Sequence, residues 1–231
     1  MDTGPLSFGL LLLPRLTQLD LTGPYEVLAR VPGAKVHLIW KTLDPVTADT
    51  GLRILPTTTF AECPDLDLLL VPGGAGVNEL MGDAEALAFL RERAGCTRHL
   101  ASVCTGALVL GAAGLLKGRR SGTHWASRPF LTAFGAIPVA ERVVVDGTLF
   151  TGGGVTAGID IALRIVADLL GETAAKAIQL SIEYDPKPPF DNGSPEAADA
   201  AVLERVMGAM GGMLEARAAA VKAAAALLRG G

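Results

Sequence analysis

The order of apolar runs and turn residues predicts an α/β fold, a largely parallel sheet with helices on both faces. Three observations carry this. Short unbroken apolar runs at 6–13 and 66–71 lack the alternation of a half-exposed strand and match parallel strands covered on both sides. Strand patterns are followed by Gly, Pro or Asp turn chemistry and then by helical spacing, so strands alternate with helices through most of the chain. Half of the 231 residues are hydrophobic, only 5% are aromatic and 28 are glycine, which suits helices lying close on a sheet. There is no internal repeat.

The first strand is 6–13, ending at Pro14. Beyond it, Asp20 and Thr22 are candidate helix caps and Pro24 fits a first helical turn, with the helix passing Tyr25, Val27 and Leu28 to about Arg30. Asp20 has a second reading, as a carboxylate at the C-terminal edge of the first strand, where open α/β sheets bind ligands. Residues 36–41 form the second strand. Residues 46–48 and 52–55, joined through Asp49-Thr50-Gly51, form a short hairpin. The buried strand 66–71 stops at Pro72-Gly73-Gly74-Ala75-Gly76. This cluster lacks the Gly-Lys-Ser/Thr ending of a phosphate loop and the dinucleotide fingerprint. It is either a tight turn or a place where bare backbone N–H groups approach a ligand. Residues 84–93 form an amphipathic helix.

Residues 99–103 form a buried strand and 106–113 a small-residue helix, with Cys104 at the join. A sharp strand-to-helix turn exposes one side chain at the tip of the sheet and aims free helix N–H groups at it. Such a position favours thiolate over thiol, and thiolate is the attacking form. The competing reading is a buried structural cysteine, since free cysteine is among the most buried residue types. A helix starts at Thr123-His124-Trp125 and runs to about Phe134. His124 is either a Cys104 partner or a hydrogen-bonded structural histidine. Residues 142–145 and 149–151 form a hairpin over Asp146-Gly147, running into Gly152-Gly153-Gly154-Val155-Thr156. From Ala157, Ile161, Ile165 and Leu169 give a helical stripe, and 173–182 is a further helix. Residues 184–195 form a Pro-rich loop. The Ala-rich tail that follows is helical, with breaks near Gly208, Gly211 and Gly212, and has no helix-turn-helix pattern. The expected organisation is an α/β domain over 1–194 and a helical extension over 195–231, packed on the same domain or on a partner subunit.

The formal net charge of −4 argues against a nucleic-acid partner. Three cysteines without paired or His-rich spacing suit neither a disulfide frame nor a metal site, and fit a reducing compartment. The N-terminus has no signal pattern and no apolar run spans a bilayer, so a soluble cytoplasmic protein is expected.

Asp20, the turn at 73–76, Cys104 and the turn at 152–155 all follow predicted strands, so the fold brings them to one edge, and this favours Cys104 as nucleophile. From the first strand to the C-terminal helix the chain resembles the ThiJ/PfpI superfamily of class I glutamine amidotransferase-like folds. The motifs Gln18-Leu19-Asp20-Leu21-Thr22-Gly23-Pro24, Pro72-Gly73-Gly74, Ser102-Val103-Cys104-Thr105-Gly106, Thr123-His124-Trp125 and Gly152-Gly153-Gly154-Val155-Thr156-Ala157-Gly158 are similar to its isocyanide hydratase branch. Asp20 stands where many superfamily members carry a glutamate, as that branch has it. The resemblance implies a flavodoxin-like three-layer sandwich and hydration of an isocyanide to an N-formamide, with no cofactor and a homodimeric assembly. It makes Cys104 the nucleophile, Asp20 the proton shuttle and Thr105 a holder of the sulfur or substrate nitrogen. Gly73, Gly74, Gly154 and Val155 complete the pocket. Glyoxalase-like or amide-hydrolysing chemistry, a non-enzymatic cysteine oxidation sensor and a ligand-binding regulatory domain are the rivals.

Overall fold

Apolar runs too short for helices and bounded by turn residues become the central strands. The computed structural model describes residues 5–230. In chain order it contains β1 (Ser7–Leu11), α1 (Gln18–Leu28), β2 (Lys35–Trp40), β3 (Val46–Thr47), β4 (Arg53–Ile54), β5 (Thr58–Thr59), β6 (Leu68–Val71), α2 (Val77–Leu80), α3 (Ala84–Ala94) and β7 (His99–Ser102). These are followed by α4 (Gly106–Ala112), β8 (Arg120–Ser121), a 3-10 helix (Trp125–Phe134), β9 (Ile137–Pro138), β10 (Val143–Asp146), β11 (Leu149–Gly152), α5 (Ala157–Leu170), α6 (Glu172–Ser181) and α7 (Ala200–Gly230).

Seven strands form one sheet in the order β10-β11-β7-β6-β1-β2-β5. All neighbours are parallel except β10 and β11, the expected hairpin, which pair antiparallel. In register, Leu10 faces Leu38 on one side and Leu70 on the other, while Val71 faces Ser102. Phe8, Leu10, Leu68, Leu69, Leu70 and Val71 expose no surface. Covering both faces of these strands is what their unbroken apolar sequences require, and each such side chain contributes roughly 1.5–3 kcal/mol by leaving water. The helices form two groups, α1 with α5 and α6, and α2, α3 and α4 with the 3-10 helix and α7. The result is a flavodoxin-like α/β sandwich.

Several local expectations need correction. Helix α1 begins at Gln18, two residues before Asp20, and the extended Thr17 occupies its N-cap without a side-chain cap bond. The Thr17 hydroxyl instead donates to Asp49, and Asp20 turns away from its own helix. Pro24 consequently lies inside the helix, against a glycine of α5: a Cβ on Gly158 would stand 2.9 Å from Pro24 Cδ. The stretch after His124 is a 3-10 helix containing Pro129, whose missing N–H interrupts an α ladder. The expected breaks in the tail do not occur, and α7 is a single helix of 31 residues. Its Gly208, Gly211 and Gly212 have nothing within 4 Å of a built Cβ, so they lower helix propensity without a packing reason to bend. The two-residue β5 has no sequence signal of its own. Among the described residues no helix is long and apolar enough to cross a membrane.

Candidate active site

The chain leaves β1 toward β2 on one side and returns as β6 on the other, and this reversal opens a crevice beyond the C-terminal strand ends. Asp20, Gly73 and Cys104 follow β1, β6 and β7 and meet there. Cys104 adopts φ 53°, a left-handed conformation that a non-glycine residue holds only when its surroundings impose it. Those surroundings are visible. Its N–H donates to the Gly153 carbonyl at 2.9 Å, and its carbonyl accepts the Thr123 hydroxyl at 2.7 Å. The turn β11–α5 and the segment after β8 thus clamp the cysteine from both ends.

Asp20 has no exposed surface. Its Oδ2 accepts the Gly73 N–H at 2.8 Å, while Oδ1 is buried without a partner. A Cβ at Gly73 would lie 2.5 Å from Thr105 N, 2.6 Å from Thr105 Oγ1 and 2.9 Å from Asp20 Oδ2, so only glycine lets these groups converge. Burial pushes the Asp20 carboxyl up to about 7, against the lowering effect of the Gly73 N–H and the Cys104 thiol. Asp49 raises it a little further.

The Cys104 thiol corrects an expectation. It is pushed up rather than down, first by burial and then by the Asp20 charge. The Thr105 N–H, the Arg217 charge and the Thr105 hydroxyl pull the other way without prevailing. The Thr105 N–H ahead of α4 is therefore too weak to ionise a cysteine that is 5% exposed. The two groups shift one another, the thiol lowering the acid and the acid raising the thiol.

The Thr105 hydroxyl accepts the Gly74 N–H at 3.0 Å. His124 has the hydrogen bond of the structural reading and none to Cys104. Its Nδ1 accepts the Ala126 N–H at 3.3 Å at the start of the 3-10 helix, which leaves the proton on Nε2. Its ring also lines the cavity, and burial followed by the Arg217 charge lowers its pKa, keeping it neutral. Gly154 sits beside this ring, where a Cβ would come within 3.3 Å of Cδ2.

An open cavity of ≈ 230 Å³ stands over Cys104 and Thr105, with Gly74, Val155 and His124 in its wall. Gly73 and Gly154, expected in the pocket, are not among its lining residues, and neither is Asp20. Sequence reading missed the far side, where Met210, Met213 and Arg217 of α7 face the cavity. A signal existed: Met210, Met213, Arg217, Val221 and Ala224 follow helical spacing, so the arginine stands at an apolar-face position. Among the described residues no three His, Cys, Asp or Glu side chains gather as a metal-holding set.

Over 223 residues the chain is 54% identical to an isonitrile hydratase of Pseudomonas putida, covering 96% of this chain and 98% of that one. A crystal structure of a ThiJ/PfpI family protein from Pseudomonas syringae superposes with a TM-score of 0.92 at 44% identity, covering 95% of this chain and 91% of that one. The HTH-type transcriptional regulator GbdR of Pseudomonas aeruginosa is 31% identical over 80% of this chain, which spans 52% of the regulator. The DJ-1/PfpI family pattern matches residues 9–168, the stretch that carries the crevice between β1 and β6 and the cysteine after β7. The chain belongs to the DJ-1/PfpI family.

Proposed function

We propose that the protein hydrates an isocyanide, R–N≡C, to the formamide R–NH–CHO through a thioimidate on Cys104. One observation carries the reading: a buried carboxyl with one unpartnered oxygen stands beside a clamped cysteine, in a chain similar over nearly its whole length to an isonitrile hydratase. The terminal carbon of an isocyanide is both electrophilic and basic, so it needs a nucleophile and an acid together. The Cys104–Asp20 pair supplies both. The sulfur bonds to the carbon while Asp20 delivers the shared proton to that carbon, giving Cys104–S–CH=N–R. Asp20, now a carboxylate, accepts a proton from water as the water oxygen bonds to the same carbon, and that proton passes to nitrogen. The tetrahedral adduct expels the Cys104 sulfur as R–NH–CHO forms, and the remaining hydroxyl proton returns to the pair. A pKa of about 7 suits a group that must give a proton and take one in a single cycle. Thr105 donates to the sulfur, and the apolar side of the cavity accepts R.

The test is hydration of a nitrophenyl isocyanide followed by absorbance, with the formamide identified by mass spectrometry. Wild type is expected to form it, Cys104→Ala to form none, and Asp20→Asn to lose most of the rate. Wild-type turnover by Cys104→Ala would overturn the nucleophile. Conversion of methylglyoxal without any isocyanide turnover would move the assignment to glyoxalase-like chemistry.

A further inference from the structure

We infer that Arg217 is a positioning residue that acts as the buried counter-charge of the Cys104 thiolate, so that α7 is a working part of the active site. The inference rests on Cys104 being the reacting residue. Arg217 lies outside the 9–168 stretch that carries the family pattern, and no step above uses it.

Arg217 is 3% exposed, and its guanidinium carries its charge at any accessible pH. Its bonds go to neutral acceptors on three elements: Nε to Asn78 Oδ1 at 3.2 Å, Nη1 to Ser127 Oγ at 3.0 Å and Nη2 to the Gly74 carbonyl at 3.4 Å. Among the described residues no carboxylate pairs with it. Glu79 on α2 is paired with Arg15, Asp49 is bound by the Thr17 hydroxyl, and Glu215 on α7 is exposed. A buried cation without an anion is destabilising, because its lost hydration is not repaid. That arrangement makes sense when an anion forms beside it during the reaction.

The cavity supplies one. The charged or titratable groups facing Cys104 are Asp20 from α1, Asp49 from the β3–β4 hairpin, His124 ahead of the 3-10 helix and Arg217 from α7. Two are acids, His124 is held neutral, and Arg217 alone among these four is a fixed positive charge. It also acts through the loop. Gly74 offers its N–H to Thr105 Oγ1 and its carbonyl to Arg217, and that carbonyl lies 3.4 Å from the same hydroxyl. A charged donor on the carbonyl competes for it, leaving the Thr105 hydroxyl proton to turn to the sulfur once the sulfur is negative.

Alkylation of Cys104 by iodoacetamide at pH 8 tests this on the full chain, because its rate follows the thiolate fraction. Peptide mapping separates Cys104 from the exposed Cys96 and the buried Cys63. Arg217→Gln, which retains hydrogen-bonding groups for Asn78 and Ser127, is expected to slow Cys104 alkylation about tenfold, the effect of roughly one pKa unit from a lost neighbouring charge. Arg217→Lys is expected to stay within about threefold of wild type. A merely structural role gives the opposite sign, since a loosened α7 uncovers the sulfur and speeds alkylation. Alkylation of Arg217→Gln at or above the wild-type rate, or of Arg217→Lys as slow as Arg217→Gln, would overturn the inference. The readout needs no isocyanide, so its failure is distinct from a failure of the proposed hydratase activity.

Discussion

At the residue scale, the protein holds an acid where a carboxylate is expensive. In the unfolded chain Asp20 ionises near 3.8, whereas in the folded chain burial holds its pKa at about 7. The native state therefore keeps its proton over a range where the unfolded state has released it. The resulting stabilisation is complete below the unfolded value, declines as pH rises toward 7 and is gone above it. Asp20→Asn imitates the protonated side chain and can still accept the Gly73 N–H. Its stability is expected to match wild type near pH 4 and to exceed it at pH 8, by about 4 kcal/mol at most. Urea denaturation at the two pH values checks this. A variant less stable than wild type at both would show that the bond to Gly73 needs the charge. Asp20 and Cys104 were legible as candidate site residues because both follow strands. Their protonation was not: the sequence shows a cysteine ahead of a helix, which lowers a thiol pKa, and hides the burial, which raises it more.

At the element scale, the elbow depends on how closely α4 approaches β6. A Cβ at Gly106 would stand 2.1 Å from the Val71 carbonyl oxygen, so Gly106→Ala must push α4 away from the strand and move Cys104 with it. The expected loss is about 2–3 kcal/mol of stability, with most of the turnover. Gly211→Ala makes the same chemical change where nothing lies within 4 Å, and is expected to gain about 1 kcal/mol through helix propensity alone. Thermal melts of the two variants should move in opposite directions. A loss in Gly211→Ala would mean that another surface covers this side of α7. The contrast also explains what could be read beforehand. Glycines at strand ends sit beside turn signals and declare a close approach. Those in α7 look like breaks to local propensity, but a helix whose far end docks through Arg217, Val221, Ala224 and Ala225 absorbs them.

At the scale of the whole molecule, the sheet was legible because covered parallel strands must be apolar along their length. The completed cavity was not, since one wall comes from α7, and the contact between Arg217 and Gly74 spans 143 positions. A second copy of the chain is a proposal at this scale. Val202, Val206 and Met207 on α7 are each at least 40% exposed, and Phe190 in the preceding loop is 78% exposed. Sedimentation equilibrium is expected to give twice the chain mass, and Met207→Glu to give single chains at micromolar concentration. Single chains in the wild type would remove the dimer, and an unchanged dimer in Met207→Glu would place its interface elsewhere. The 143-residue span also sets an order in time. During synthesis the sheet, the elbow and Asp20 emerge before α7. The nascent chain thus carries Cys104 and Asp20 before the helix that holds Met210, Met213 and Arg217 is made, and the cavity has all of its walls only once α7 docks.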